Sequence, residues 1–116
     1  MSPGDICWVD ILPRGGHEQA GRRPAIIFQD ESLTSLIPTV LIVPVTTQVE
    51  AMRFPGTMLI ARDAGNGLRR ASVALVFQIT AVDRRWIGSK LGRIADLHRD
   101  ELWEQLDRVT GRNTPQ

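Results

Sequence analysis

The sequence contains one cysteine, Cys7, one lysine, Lys90, and two histidines, His17 and His98. A single thiol excludes an intrachain disulfide and fits a reducing, cytoplasmic setting. Neighbouring carboxylates occur only at Asp30-Glu31 and Asp100-Glu101, so with so few histidines and cysteines there is no tight ligand set for zinc. No metal or other cofactor is expected. No glycine-rich phosphate loop or dinucleotide fingerprint is present. No apolar run is long enough to span a bilayer, so no membrane association is expected. The opening Met1-Ser2-Pro3-Gly4-Asp5 has no basic segment followed by an apolar stretch, so no signal peptide is expected either.

What is present is an ordinary globular composition: 116 residues, 42% hydrophobic and 23% charged. The length suits one domain with a modest core. A single domain over residues 1–111 is expected, with 112–116 as a polar, flexible tail. The net charge is only +1, yet thirteen of the fourteen basic residues are arginine. Arginine donates in a planar fork that suits phosphate and stacks on bases, which is compatible with nucleic acid as a partner. A GC-rich genome produces the same bias, so clustering carries more weight than the count.

Short apolar runs separated by Gly, Pro and polar turns predict strands at Ile6–Val9, Ala25–Phe28, Val40–Thr46, Met58–Ile60, Ser72–Phe77 and Lys90–Ile94. Pro44 interrupts the third and is expected at an edge or a bulge. Arg84–Ile87 suggests a short helical turn. A helix is predicted from Asp96, which can cap it, through Leu102, Leu106 and Val109, with Leu97 and Trp103 widening the stripe and Gly111 as the stop. Strands followed by one terminal helix indicate a mainly β (α+β) fold, a small barrel or curled sheet covered by a helix.

The connection Pro13–Pro24 is longer than a hairpin needs, and long loops in small domains are often functional. It gathers Arg14, His17, Glu18, Gln19, Arg22 and Arg23. Such residues supply what cleavage of a phosphodiester requires: donors that neutralise charge building on the phosphate, and groups that move protons. A solvated basic loop has the same composition.

Three ordered segments narrow the reading. Gly4-Asp5-Ile6-Cys7-Trp8-Val9-Asp10, His17-Glu18-Gln19-Ala20-Gly21-Arg22-Arg23-Pro24-Ala25 and Val43-Pro44-Val45-Thr46-Thr47-Gln48 resemble the first three motifs of the MazF/PemK toxin family. Ser72–Ile79 resembles the fourth motif and Lys90–Ile94 the last strand, so the resemblance covers residues 4 to 110 in order. It implies an SH3-like β-barrel of the plasmid-maintenance-toxin type with a C-terminal helix, working as a homodimer. It also implies the toxin of a type II toxin–antitoxin system, whose release under stress arrests growth. The activity implied is sequence-specific, metal-independent cleavage of single-stranded RNA, leaving a 2′,3′-cyclic phosphate and a 5′-hydroxyl. The partner implied is a MazE-like antitoxin that blocks the RNA site with an extended acidic tail.

Carried over residue by residue, the resemblance places the catalytic arginine on Arg23, the catalytic threonine on Thr46 and a functional glutamate on Glu18. Ser72 and Gln78 match positions that line the RNA groove, and His17, Gln19 and Gln48 are further candidates for RNA contact. Arginine is cationic at neutral pH, so it suits charge stabilisation better than proton abstraction. Glu18 and His17 both remain candidates for the base. The tryptophans Trp8, Trp86 and Trp103 are expected in the core or a dimer interface, Cys7 in the core, and Arg69-Arg70 and Arg84-Arg85 as solvated charges, with a phosphate track along the groove as the alternative. The chain departs from the family pattern at Ala71 and Phe77, where acidic residues are common, and at Thr80, where a basic one is. Two other functions fit the same fold, a gyrase-poisoning toxin and a non-catalytic binding module. Relatives of the first lack the Arg-Pro plus Thr pairing, and loss of either residue would have favoured the second.

Overall fold

The apolar runs near the N-terminus become strands buried on both faces. The computed structural model, which describes residues 1–11 and 21–112, pairs β1 (Asp5–Ile11) antiparallel with β2 (Gly21–Ile27), and β2 with β3 (Thr39–Thr46). Ile6, Ile26, Val43 and Val45 point into one core cluster, completed by Ile60 and Leu102. Cys7, Val9, Ala25, Ile27 and Ile42 point into a second, closed by Val82. Cover on both sides explains why these strands read as continuous apolar runs and not as alternation.

β3 organises the sheet. Its first half pairs with β6 (Thr80–Asp83), Ile42 lying opposite Thr80, and its last residues pair with β5 (Ser72–Leu75), Thr46 lying opposite Val73. Pro44 is therefore on an inner strand and not at an edge. It pairs with Ala25 on the β2 side and falls at the break between the β6 and β5 ladders, where a residue without an N–H is tolerated. β4 (Thr57–Ile60) pairs with β5, and β7 (Ile87–Arg93) pairs with β1. The order is β4-β5-β3-β2-β1-β7, with β6 also on β3. β4 and β7 end the order unpaired with each other, so the sheet curls without closing. The mainly β class and the terminal helix are as read from the sequence, and of the small barrel or curled sheet expected it is the curled, open sheet that forms.

A short helix, α1 (Glu31–Thr34), and β6 are additional to the sequence reading. The terminal helix α2 spans Asp96–Thr110. Asp96 does not cap it: Ala95 holds that position, and Asp96 lies in the first turn, where its charge still favours the helix dipole. Gly111 ends α2 in the left-handed region at φ 79°. Its N–H donates to the Arg108 carbonyl and that of Arg112 to the Asp107 carbonyl, a Schellman pair. Only part of the predicted stripe is used. Leu102 is buried, but Leu97 is 70% and Trp103 55% exposed, with Trp103 packed on the Phe28 ring at 4.7 Å. Among the described residues no helix is long and apolar enough to cross a membrane.

One buried carboxylate ties β1 to β7. Asp5 is 3% exposed and accepts from Arg93 Nη1 at 3.0 Å, the Ser2 N–H at 2.8 Å and, as an ion pair, Lys90 Nζ at 3.2 Å. Burial alone pushes its pKa up, but these donors outweigh burial, and the net shift is downward. A carboxyl held lower in the folded chain than in the unfolded one stabilises at pH above the unfolded value, and that stability is lost as pH falls through the folded value. Asp5→Ala is expected to cost about 1–3 kcal/mol at pH 7. The urea midpoints of wild type and variant should converge below about pH 4; a gap that persists at pH 2 would contradict this role. Cys7, 4% exposed, has its thiol pushed up by burial and by the Asp5 charge. It should react with a disulfide reagent at pH 8 only on unfolding.

Candidate active site

Strand register brings distant residues to one place. Ala25 lies opposite Pro44, where the β2–β3 ladder ends, and Arg23 and Thr46, each two residues beyond that pair, line one cleft. Across β3, Thr46 pairs with Val73, the residue after Ser72. On the remaining side, Val9 lies opposite Arg23 and Trp8 opposite Pro24. These positions open onto a cleft of about 620 Å³ whose walls include Arg23, Thr46, Gln48 and Ser72. Four of the residues singled out from the sequence are thus together. Gln78 is not among the cleft's lining residues; it is exposed, in the single turn Val76–Gln78 that follows β5. His17, Glu18 and Gln19 lie outside the described residues.

The hydroxyls differ in what they can offer. Thr46 Oγ1 accepts the Gln48 N–H at 3.2 Å, which fixes the rotor and leaves its proton free for an oxygen in the cleft. Ser72 is 1% exposed and donates to the Arg70 carbonyl at 3.0 Å, so its hydroxyl holds the chain entering β5. The Arg22 guanidinium sits 5.3 Å from the Trp8 ring centroid, within cation–π range. Trp8 is therefore a partly exposed cleft residue, where the sequence reading had placed it in a core or an interface.

The opposite wall carries the pair Arg69-Arg70, for which solvated charge was the favoured expectation and a phosphate track the alternative. Arg69 and Arg70 line the cleft with Arg22 and Arg23, and no carboxylate does so among the described residues. None of the four forms an ion pair with a described residue. The preceding turn is tightly made. Asp63 Oδ1 accepts the N–H groups of Gly65 (2.7 Å) and Asn66 (2.8 Å). Asn66 is fully buried; its Nδ2 donates to the Ala61 carbonyl at 2.9 Å and its Oδ1 accepts the Leu68 N–H at 3.0 Å. The Arg93 N–H closes the turn onto β7 through the Gly65 carbonyl at 2.9 Å. Four guanidinium groups around one concavity make a strongly positive field that favours anions. Among the described residues no three His, Cys, Asp or Glu side chains come together as a metal site.

The fold and the cleft define a small protein built on an open β-sheet, with one strongly basic cleft. Across residues 2–110 the chain matches the family model described as PemK-like, MazF-like toxin of type II toxin-antitoxin system, and it belongs to that family. The endoribonuclease EndoA of Bacillus subtilis strain 168 is 31% identical over 104 residues, 89% of this chain and 88% of the relative. The endoribonuclease MazF of Staphylococcus saprophyticus is 29% identical over 114 residues, 98% of this chain and 94% of the relative. Among solved structures, the MazE–MazF complex (Form-II) of Deinococcus radiodurans matches with a TM-score of 0.77 at 23% identity, covering 97% of each chain. An endoribonuclease in complex with its cognate antitoxin from a mycobacterial species matches with a TM-score of 0.75 at 16% identity, covering 99% of each. At these identities the structural likeness speaks for the fold.

Proposed function

We propose that this MazF-like toxin is an endoribonuclease that cuts single-stranded RNA at specific sequences without a metal ion. The observation that supports the reading is that Arg23 and Thr46 line one cleft in which no described residue contributes a carboxylate. In the reaction, the ribose 2′-oxygen attacks the adjacent phosphorus and gives its proton to a base, Glu18 or His17. The bond from phosphorus to the 5′-oxygen breaks, that oxygen gains a proton, and the ends are a 2′,3′-cyclic phosphate and a 5′-hydroxyl. Arg23 supplies the positive charge that the crowded phosphorane needs, and Thr46 donates to a non-bridging oxygen. Gln48 and Gln19 serve as RNA contacts, with Gln78 further out. Ser72 acts through the chain it holds.

The same reading includes a MazE-like antitoxin whose acidic segment occupies the positive cleft, a homodimer, a cytoplasmic location, and residues 1–111 as the working domain. A gyrase-binding toxin or an inert module would need neither Arg23 nor Thr46 in the cleft, and nothing favours either. The test is incubation of the purified protein with a mixed-sequence RNA in the presence of a chelator, with the new ends mapped by sequencing. Discrete cuts sharing a short sequence are expected. Intact RNA from well-folded protein would count against the enzyme.

A further inference from the structure

We propose that Arg69 and Arg70 grip the RNA backbone at a phosphate next to the scissile one, and so set how tightly substrate is held and not how fast it is cut. The proposal rests on the reading of the cleft as an RNA site. Its first support is placement. Thr46 pairs with Val73 at the end of the β3–β5 ladder, and Arg69 and Arg70, just before β5, line the same cleft as Thr46, Thr47 and Gln48, just after β3. Arg23 lines that cleft from β2. Thr46 therefore stands between two arginine-bearing walls, one at the reacting group and one beyond it. At about 620 Å³ the cleft is in the range that takes a ligand of several groups, more than a single phosphate needs.

The second support is chemistry. Both side chains are exposed and neither forms an ion pair among the described residues. A structural arginine normally has a partner. An arginine fork matches two phosphate oxygens, and a pair of them tracks a backbone without reading bases. The third is rigidity. The Asp63–Asn66 turn fixes the chain just before Leu68, and Ser72 fixes the carbonyl of Arg70 itself, so the arginine backbone is tied at both ends. Only the side-chain ends must be ordered when RNA binds.

The test is the double variant Arg69→Gln/Arg70→Gln, which leaves every hydrogen bond of that turn in place, with thermal unfolding as the check on folding. KM is expected to rise by about tenfold or more while kcat stays within about twofold, the pattern of an interaction made equally in ground and transition states. Binding is read with an RNA carrying a 2′-deoxy sugar at the cut position. Its slope of log affinity against log salt should become shallower by about 0.7–1.4, one to two phosphate contacts on a single strand. Trimming the RNA until the neighbouring phosphate is gone should bring wild type to the level of the variant. Restoring charge with Arg69→Lys/Arg70→Lys should recover the slope more than the affinity. Wild-type cleavage with an unchanged KM and salt slope in the double variant would overturn the proposal. So would a variant that cuts RNA normally but loses affinity for the acidic antitoxin segment, which would give the arginines to a protein partner. A wild-type protein that cuts no RNA would remove the underlying reading, a different result from either.

Discussion

Replacing Arg23 by alanine is expected to slow RNA cleavage by about 10²- to 10³-fold, the usual effect of removing one charge-stabilising donor from a transition state. The side chain is exposed, at the start of β2, and forms no ion pair with a described residue, so the fold does not depend on it. The variant should unfold within about 0.5 kcal/mol of wild type, as surface substitutions do. The loss should fall on kcat more than on KM, because charge builds on the phosphate only as the bond forms. Thr46→Val keeps the shape and removes the hydroxyl, and should reduce the rate in the same direction by a smaller factor. Single-turnover rates with saturating protein separate these effects from binding. An Arg23→Ala protein that cuts at the wild-type rate would leave the arginine as surface charge.

Among the described glycines, Gly67→Ala should be the most disruptive change to alanine. Gly67 has φ +70°, a left-handed backbone that costs a residue with a Cβ about 1–2 kcal/mol. The added Cβ would also overlap the carbonyl oxygen of Leu91 on β7, and overpacking of a fixed neighbour adds about 1–3 kcal/mol. A fall in Tm on the order of 10 °C follows for a domain of this size. Gly67 also lines the cleft, so the turn that carries Arg69 and Arg70 would shift. RNA affinity measured well below the new Tm should therefore fall too. A variant as stable as wild type would show that the contact between this turn and β7 is looser than described.

These two residues also show where the sequence was legible. β1, β2 and β3 could be read from it because both faces of each are covered, which leaves long apolar runs. β6 could not, because of Thr80–Asp83 only Val82 is buried. Helix α2 was visible from its period, but the period could not say that Leu97 and Trp103 stay exposed, since that depends on where the sheet ends beneath the helix. Arg23 and Thr46 were singled out through their motifs, and the structure has both lining one cleft. Arg69 and Arg70 were visible only as a candidate phosphate track, outweighed by the expectation of solvated charge. In the sequence they are two charges after a glycine turn; only the pairing of β5 with β3, and the contact of Gly67 with β7, put them on the cleft wall. Pro44 misled in the opposite way. Its place between two ladders is available only because β3 has two different partners on one side.

The most direct measurement compares an RNA containing one mapped cut site with the same RNA carrying a single 2′-deoxy sugar at that position. Wild-type protein with a chelator present should cut the first, leaving a 5′-hydroxyl end, and leave the second intact at that bond, because the attacking oxygen is gone. Cutting of both at the same rate would contradict attack by the 2′-oxygen, and with it the roles given to Arg23 and Thr46.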